Sequence, residues 1–311
     1  MKRRYFISNL TLGSIAGMVL YPKGLQAWNS GGSAAADKLG RISISTWTFH
    51  NYFTSTREPE FKLPGEMLKL LDFPKMISDK YKVHNLELCA PHFDSTGSAY
   101  LTDLKARLAE VGSKVVNMPV DIDELGEKGG LSDPDKKVRD NAIKGAKKWI
   151  DIAVQIQCGS VRCDPGKMDP KNLAPTIDSY KQLSDYGRSK GVHVIIENHG
   201  GVGSEHPEEL VAVFKGVGGG QVGALPDFFN FPDEATRMKG LELLFPYARV
   251  VCHAKGMKFD ASGKETEYNF PKCIEISKRA GFKGVYSIEF EGPGDPYAGC
   301  QKVLDNLVKT I

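Results

Sequence analysis

The sequence lacks the short glycine-rich motifs that bind nucleotide phosphates. No Walker-type loop occurs in its 311 residues, and the one GxGxxG spacing, at 218–223, lies in a predicted helix-to-strand turn, not in the strand-to-helix turn that a dinucleotide site requires. Paired cysteine motifs are also absent. The six cysteines include no CxxC pair, and several of them fall inside apolar runs. We therefore expect thiols of the core, with Cys158 and Cys163, the closest pair, left unbridged.

A strong net charge is also absent. The chain has 41 basic and 38 acidic residues, and four of the basic ones lie before residue 37, which leaves 37 against 38. This balance gives no support for a nucleic-acid partner and does not indicate a basic pocket for phosphorylated substrates. A hydrophobic content of 41% and a charged content of 25% are ordinary for a soluble globular protein.

Residues 1–36 have the order of an export signal and linker. A basic start that contains the Arg3-Arg4 pair precedes an uncharged stretch (5–21) and a small polar run (29–37). This order is typical of an export signal, not of a spanning helix, and the arginine pair resembles a twin-arginine signal. The first cysteine is Cys89, which disfavours a lipoprotein anchor. We expect a periplasmic or otherwise exported protein with no stable membrane anchor.

Strand-like and helix-like segments alternate over residues 37–311. The predicted strands are 41–49, 85–90, 114–120, 160–164, 194–199, 222–227, 249–255 and 285–291. An amphipathic stretch at 67–76 and helical patterns at 100–111, 135–156, 170–189, 206–216, 233–245, 270–280 and 297–310 separate them. Eight such repeats predict an α/β fold, a single-domain (β/α)8 TIM barrel, with an open doubly wound sheet as the alternative.

Four potential metal ligands lie near the ends of the last four predicted strands: Glu197, Asp227, His253 and Glu289. Because the carboxyl ends of parallel barrel strands meet at one rim, we expect a shared site. Three carboxylates and one imidazole suit one divalent metal, Mn²⁺, Mg²⁺ or Co²⁺, with Zn²⁺ possible. A cation that prefers about six ligands would keep about two positions for adjacent carbonyl and hydroxyl oxygens of a sugar.

This ligand set also suits proton transfer. The metal would act as a Lewis acid and stabilise an enediolate formed by removing the proton beside the carbonyl. Glu197 and Glu289 are the candidate catalytic acid and base, one for each face of the sugar carbon. A single acidic residue at a strand end is more often a helix cap or a solvated loop residue, so the prediction depends on all four occurring together.

The same residues resemble a known family. The order Glu, Asp, His, Glu on strands five to eight resembles the xylose isomerase-like TIM barrels, the sugar phosphate isomerase/epimerase family. The matching segments are Leu86-Glu87-Leu88, Ile196-Glu197-Asn198-His199, Asp227-Phe228-Phe229-Asn230, Val251-Cys252-His253-Ala254-Lys255 and Ile288-Glu289-Phe290-Glu291-Gly292. The resemblance implies that Glu197 and Glu289 serve as metal ligands and as the acid/base pair, with Asp227 and His253 as the other ligands.

The chain also departs from the family pattern. Asn230 stands where family epimerases often have histidine, and Ala254, Lys255 and Lys258 follow His253 where many members have aspartate or arginine. Substrate-contacting residues are therefore predicted from position alone, at or just past a strand end. These candidates are Trp47, His50, Glu87, His92, Asn117, Arg162, His199, Asn230 and Lys255. Trp47 is equally compatible with plain packing, and Arg162 with an ion pair.

Several functions remain open from the sequence. The first is a metal-dependent isomerase or epimerase of an unphosphorylated keto sugar or keto-glycoside, since export argues against a sugar phosphate. The second is a 3-keto-glycoside lyase or hydratase that uses the same enolate chemistry. Phosphoester hydrolysis by a multi-metal cluster, as in endonuclease IV-like barrels, is disfavoured by the presence of only seven histidines. A non-catalytic sugar-binding protein and a homo-oligomer are further possibilities.

Overall fold

The computed structural model describes residues 38–311, except for 63, 127 and 219–221. Eight strands lie in one sheet, and every neighbouring pair is parallel. They are β1 (Ile42–Ser45), β2 (Asn85–Glu87), β3 (Lys114–Pro119), β4 (Ser160–Arg162), β5 (His193–Glu197), β6 (Val222–Leu225), β7 (Val251–Gly256) and β8 (Val285–Phe290). Their order in the sheet is β6-β5-β4-β3-β2-β1-β8-β7.

The sheet closes between its two outer strands. Parallel bridges join Ala224 to Ala248 and Asp227 to His253, which brings the β6 segment beside the β7 segment. The predicted (β/α)8 TIM barrel is therefore confirmed. The predicted export signal at 1–36 lies outside the described residues and stays a prediction. In the described part of the chain, no helix combines the length and apolar character that a membrane crossing requires.

Helices follow the strands around the barrel. They are α1 (Phe73–Tyr81), α2 (Ser98–Glu110), α3 (Asp123–Gly126), α4 (Lys136–Gln155), α5 (Ala174–Lys190), α6 (Gly201–Glu205), α7 (Pro207–Val217), α8 (Glu234–Leu244), α9 (Phe270–Arg279) and α10 (Pro296–Thr310). The carboxylates of Asp135, Asp233 and Asp295 accept backbone N–H bonds at the starts of α4, α8 and α10. These caps satisfy donors that the first helical turn leaves without intrahelical partners.

The strands are buried over most of their length, as a parallel barrel covered by helices requires. Apolar side chains such as Ile44, Leu86 and Ile288 form the core. All six cysteines are buried and free, so the prediction of core thiols is confirmed. The strands also bury polar groups, including Glu87, Asn117 and Arg162, which must find partners inside the barrel.

Several predicted element positions were wrong. The first strand ends at Ser45 instead of 49, and a 3₁₀ helix follows over Thr46–Tyr52, because the Ser45 hydroxyl accepts the N–H of Trp47 and caps it. The amphipathic stretch 67–76 contains a 3₁₀ helix over Leu70–Asp72 and the start of α1 at Phe73, with a proline in the first turn of α1, where a missing N–H costs little. His253 lies in the middle of β7, not at its end.

Candidate metal centre

The four predicted ligands converge at the carboxyl end of the barrel. His253 Nδ1 lies 3.0 Å from Glu197 Oε1, 3.5 Å from Asp227 Oδ2 and 3.4 Å from Glu289 Oε2. One potential ligand atom from each of the four residues lies within 4.8 Å of the others, and all four side chains are buried. The barrel therefore brings one imidazole nitrogen and three carboxylates to one small volume.

Glu87 fixes the orientation of the imidazole. Its Oε1 lies 2.9 Å from Nε2 of His253, so the opposite ring nitrogen faces the three carboxylates. Asn117 Nδ2 donates to Glu87 Oε2 at 2.8 Å, and Ser287 Oγ donates to Oε1 at 3.3 Å. A carboxylate behind a histidine sets its tautomer and ring position in many metal sites. Here it leaves Nδ1 as the nitrogen that can bind a cation.

Backbone contacts fix one oxygen of Asp227. Its Oδ1 accepts the N–H groups of Phe229 and Asn230 at 2.7 and 2.8 Å. The Asn198 side chain accepts the Asp227 N–H at 2.8 Å and donates to the Asp227 carbonyl at 3.1 Å. The segment after β6 is thus held at four points, and Oδ2 is directed into the cluster.

Two buried carboxylate oxygens in the cluster make no hydrogen bond to any described residue: Asp227 Oδ2 and Glu197 Oε2. Each lies near a buried cation, Glu197 Oε2 at 3.1 Å from Arg162 Nε and Asp227 Oδ2 at 3.4 Å from Lys255 Nζ, but neither contact is a hydrogen bond, so the loss of hydration is compensated only in part. A divalent cation with oxygen and imidazole ligands would compensate both oxygens. The residues present therefore fit such an ion, and Glu197, Asp227, His253 and Glu289 would hold it.

The carboxylates shift one another's protonation equilibria and that of His253. Burial alone disfavours the imidazolium, but Glu289, Glu87 and Glu197 raise the pKa of His253 well above its ordinary value. Burial raises the pKa of Glu289 to about 7, against the lowering effects of His253 and Lys255. For Glu197, burial is outweighed by His253 and Arg162, which hold its pKa well below the ordinary value. The cluster is therefore rich in negative charge and favours a cation.

Two buried cations border the centre, and both are surrounded by carboxylates. Lys255 Nζ lies 3.4 Å from Asp227 Oδ2, 3.3 Å from Glu289 Oε2 and 3.1 Å from Glu291 Oε1. Arg162 Nη1 lies 2.6 Å from both Asp121 Oδ1 and Asp164 Oδ2, while its Nε lies 3.1 Å from Glu197 Oε2. Neither cation is free to bind an anionic ligand, because each already pairs with three carboxylates.

A model of the family described as "Xylose isomerase-like TIM barrel" matches residues 82–308. The chain belongs to the xylose isomerase-like TIM barrel family. The resemblance seen in the strand-end motifs is thereby confirmed. Comparison with curated proteins gives no match.

Three solved structures illustrate the shared fold of this family. A D-psicose 3-epimerase with D-tagatose from Clostridium cellulolyticum H10 has a TM-score of 0.61 at 14% identity, over 86% of this chain and 96% of that one. A xylose isomerase-like TIM barrel protein from Mycobacterium smegmatis, in complex with magnesium, gives 0.63 at 15%, over 90% and 98%. The IOLI protein with a zinc atom gives 0.65 at 14%, over 87% and 99%. At such identities the likeness shows the fold alone.

In this family member, several predicted substrate-binding residues border the centre. Asn230 Nδ2 donates to Glu197 Oε1 at 3.2 Å, and Lys255 donates to Asn230 Oδ1 at 3.3 Å. Trp47 reaches the same region through Glu291, since its indole N–H donates to Glu291 Oε1 at 2.5 Å. The structure thus brings these side chains, together with Glu87, Asn117 and Arg162, to the rim or wall of the site. Their roles toward a substrate stay predictions.

Three histidines among the candidates have described hydrogen bonds to residues other than the four ligands. His199 Nδ1 is 2.7 Å from Asp164 Oδ2, which also lies 2.6 Å from Arg162 Nη1. His50 pairs with the Trp47 carbonyl at 2.9 Å and stacks on its indole. His92 is buried, and its Nε2 shares a hydrogen bond of 2.9 Å with Thr56 Oγ1. Its ring stacks on Phe53 with ring centroids 4.0 Å apart. Direct substrate binding by His50 and His92 stays a prediction.

Sequence reasoning missed Asp121, Asp164 and Glu291 as parts of the site. Asp121 and Asp164 each stand two residues beyond the last residue of β3 and β4, and Glu291 directly follows β8. The strand-end criterion that selected the ligands was therefore also met by these acids. Their place in the site could not be seen because it depends on ion pairs: Asp121 and Glu291 pair with Arg162 and Lys255 across neighbouring strands, and Asp164 pairs with Arg162 just past the same strand.

Proposed function

We propose that the protein is a metal-dependent isomerase or epimerase of an unphosphorylated keto sugar. The observation that carries the proposal is the convergence of three carboxylates on Nδ1 of His253, with two buried carboxylate oxygens lacking a hydrogen bond among described residues. This oxygen-rich set suits Mn²⁺, Mg²⁺ or Co²⁺ and accepts Zn²⁺. A divalent cation bound there would supply Lewis-acid polarisation of a sugar carbonyl.

Glu197 and Glu289 are the proposed proton carriers. They come from β5 and β8, and both carboxylates lie beside His253 Nδ1, at 3.0 and 3.4 Å. One takes the proton from the carbon next to the carbonyl, and the other returns a proton to the resulting enediolate. Return to a different face inverts that carbon, and return to the neighbouring carbon, with transfer of the hydroxyl proton from one enediolate oxygen to the other, moves the carbonyl. Asn230 and Lys255 flank the pair and hold its geometry.

The charges around the centre support a substrate without phosphate. Enzymes that bind phosphate supply uncommitted arginine, lysine or backbone N–H donors. In the described chain, the two cations at this centre, Arg162 and Lys255, each contact three carboxylates. A phosphate there would meet net negative charge. The predicted exported location agrees with the same substrate class and remains a proposal.

Solvent deuterium exchange tests this proposal directly. Purified protein loaded with Mn²⁺ is incubated in D₂O with a panel of unphosphorylated keto sugars, and NMR follows the hydrogen on each carbon beside the carbonyl. The expected result is loss of that signal with at least one sugar, stopped by a chelator and restored by adding the metal. Tight metal binding without exchange on any sugar would instead support a non-catalytic sugar-binding protein.

A further inference from the structure

A cavity of about 520 Å³ opens beside the candidate metal centre, across the ends of β3, β4 and β5. Glu197 lines it, whereas Asp227, His253 and Glu289 do not. A sugar carbon placed between Glu197 and Glu289 must touch both carboxylates. The cavity therefore lies next to the position of the reacting ring and extends away from it. We call this space the outer cavity.

One wall of the outer cavity is polar. Asp121, Asp164 and His199 line it, and Asp164 Oδ2 contacts both Arg162 and His199. The other oxygen, Asp164 Oδ1, is buried and has no hydrogen bond to a described residue. His199 is about half exposed, and its described hydrogen bond uses Nδ1. This wall therefore offers two partly exposed carboxylates, Asp121 and Asp164, and an imidazole edge to a ligand.

The remaining lining is largely apolar. Ile122, Leu125, Met168 and Val202 face the same space as the polar wall. A pyranose ring matches such a pair of surfaces, because its faces present C–H groups and its edge presents hydroxyls. The described lining contains no lysine or arginine, and it includes Asp121, Asp123 and Asp164. An anionic group such as a phosphate or uronate would meet unfavourable charge there.

We propose that the outer cavity binds a second, neutral pyranose ring, so that the substrate is a disaccharide-like glycoside that carries a ring ketone. This inference rests on the proposed function, since the keto ring is the one held between Glu197 and Glu289. The carboxylates of Asp121 and Asp164 accept hydrogen bonds from the hydroxyl edge of the second ring, and His199 donates to it or accepts from it. Val202 and Met168 contact its face. Binding of the second ring then positions the keto ring for proton transfer.

The test compares a disaccharide that carries a ring ketone with the methyl glycoside of the same keto ring. The readout is kcat/KM for deuterium exchange in D₂O with Mn²⁺. Wild-type protein is expected to prefer the disaccharide by about tenfold or more. The substitution Val202→Trp, which fills the cavity, is expected to remove that preference, while Val154→Trp, at an exposed position of α4 outside the cavity lining, is the matched control and should retain it. Equal kcat/KM for both compounds in wild-type protein overturns the proposal without any variant.

Direct binding separates failure of this inference from failure of the proposed function. If neither compound exchanges deuterium, the enzymatic proposal fails. Calorimetry then still compares the affinities of the disaccharide and the methyl glycoside, which tests whether the outer cavity binds the second ring. Tighter binding of the disaccharide to wild-type protein, lost in Val202→Trp, supports the second-ring site. Equal affinity of the two compounds overturns it. Release of the second ring as a free sugar, together with an unsaturated keto ring, supports the site and identifies the reaction as a lyase reaction.

Discussion

Glu87 and His253, which are 166 positions apart in the chain, meet inside the barrel with Glu87 Oε1 2.9 Å from Nε2 of the imidazole. Both side chains are almost completely inaccessible to solvent. Glu87 is the last residue of β2 and His253 lies in β7, so the contact crosses the barrel interior. It places the candidate ligand nitrogen, Nδ1, toward the carboxylates. The candidate centre therefore depends on a strand that supplies none of its four ligands.

Replacing Glu87 with glutamine should weaken metal binding without removing a ligand. The amide keeps the shape but loses the charge that orients and polarises His253, so we expect affinity for Mn²⁺ to fall by about 10–100-fold. Titration calorimetry measures this change. Ser287→Ala is the matched control, because it removes only the longer 3.3 Å bond to the same carboxylate and should change affinity by about twofold at most. Unchanged affinity in Glu87→Gln would refute the orienting role.

The substitutions Glu197→Gln and Glu289→Gln should each suppress proton exchange. A glutamine cannot carry the proton, and we expect a loss of roughly 10²–10⁴ in the exchange rate, with a greater loss if the metal is also released. The measurement is deuterium uptake from D₂O at saturating Mn²⁺. Metal content must be determined for each variant, so that lost binding is separated from lost proton transfer. Near-normal exchange in a metal-loaded variant would exclude that glutamate as a proton carrier.

Added metal should stabilise the fold through the four buried ligands. A ligand that binds only the folded state at about 100 times its Kd adds about 2.7 kcal/mol to the free energy of unfolding. We expect Mn²⁺ to raise the Tm of wild-type protein and a chelator to reverse the rise. Asp227→Asn should reduce the response strongly, whereas Asp123→Asn, outside the ligand cluster, should retain it. A Tm that is insensitive to every divalent ion contradicts the candidate metal centre.

Stability should fall in acid because of His92. Burial, together with the nearby charge of His50, lowers the pKa of His92 from 6.5 to about 3 in the folded protein. Between pH 6.5 and about pH 3, His92 is therefore protonated in the unfolded chain but neutral in the folded protein. The free energy of unfolding falls as the pH falls through this range. At pH 5 the loss attributable to His92 is about 2 kcal/mol. Urea unfolding at pH 8 and pH 5 measures it.

The control for this effect is His92→Gln, which has no titratable ring. Its stability at pH 8 will be lower, since a buried amide replaces the imidazole stacked on Phe53. Only the change in unfolding free energy between pH 8 and pH 5 is compared. That change should be smaller in the variant than in wild-type protein by about 2 kcal/mol. Identical pH dependence in the two proteins would show that His92 does not titrate in this window.

The barrel and the four-ligand set were predictable because their signals are local. Each strand is a short apolar run, and Glu197, Asp227 and Glu289 lie at or close to strand ends. The partners of these residues were not predictable, since they come from distant parts of the chain. Glu87 holds His253, and Asp121 holds Arg162, across 166 and 41 positions respectively. Such pairs are set by the closed topology, which no local pattern encodes.

The turn after β1 shows a second limit of prediction from the sequence. Trp47 and Phe49 favour a strand by residue type, and the run 41–49 was predicted to be extended. The hydroxyl of Ser45 instead accepts the Trp47 N–H at 3.2 Å, and a 3₁₀ helix begins there. A serine that bonds to nearby backbone competes with a strand ladder. The turn directs the Trp47 indole N–H to Glu291, at the mouth of the barrel.

The closing seam of the barrel coincides with the candidate centre. Beyond the end of β6, His253 N–H donates to the Pro226 carbonyl at 3.0 Å, and Phe228 N–H donates to the His253 carbonyl at 3.1 Å. Asp227 and His253 thus sit on opposite edges of this seam. A cation that binds both would fasten the two edges, so the amide hydrogens of Phe228 and His253 should exchange with solvent more slowly when metal is bound. Local opening of the cylinder and loss of the ion would then be one event.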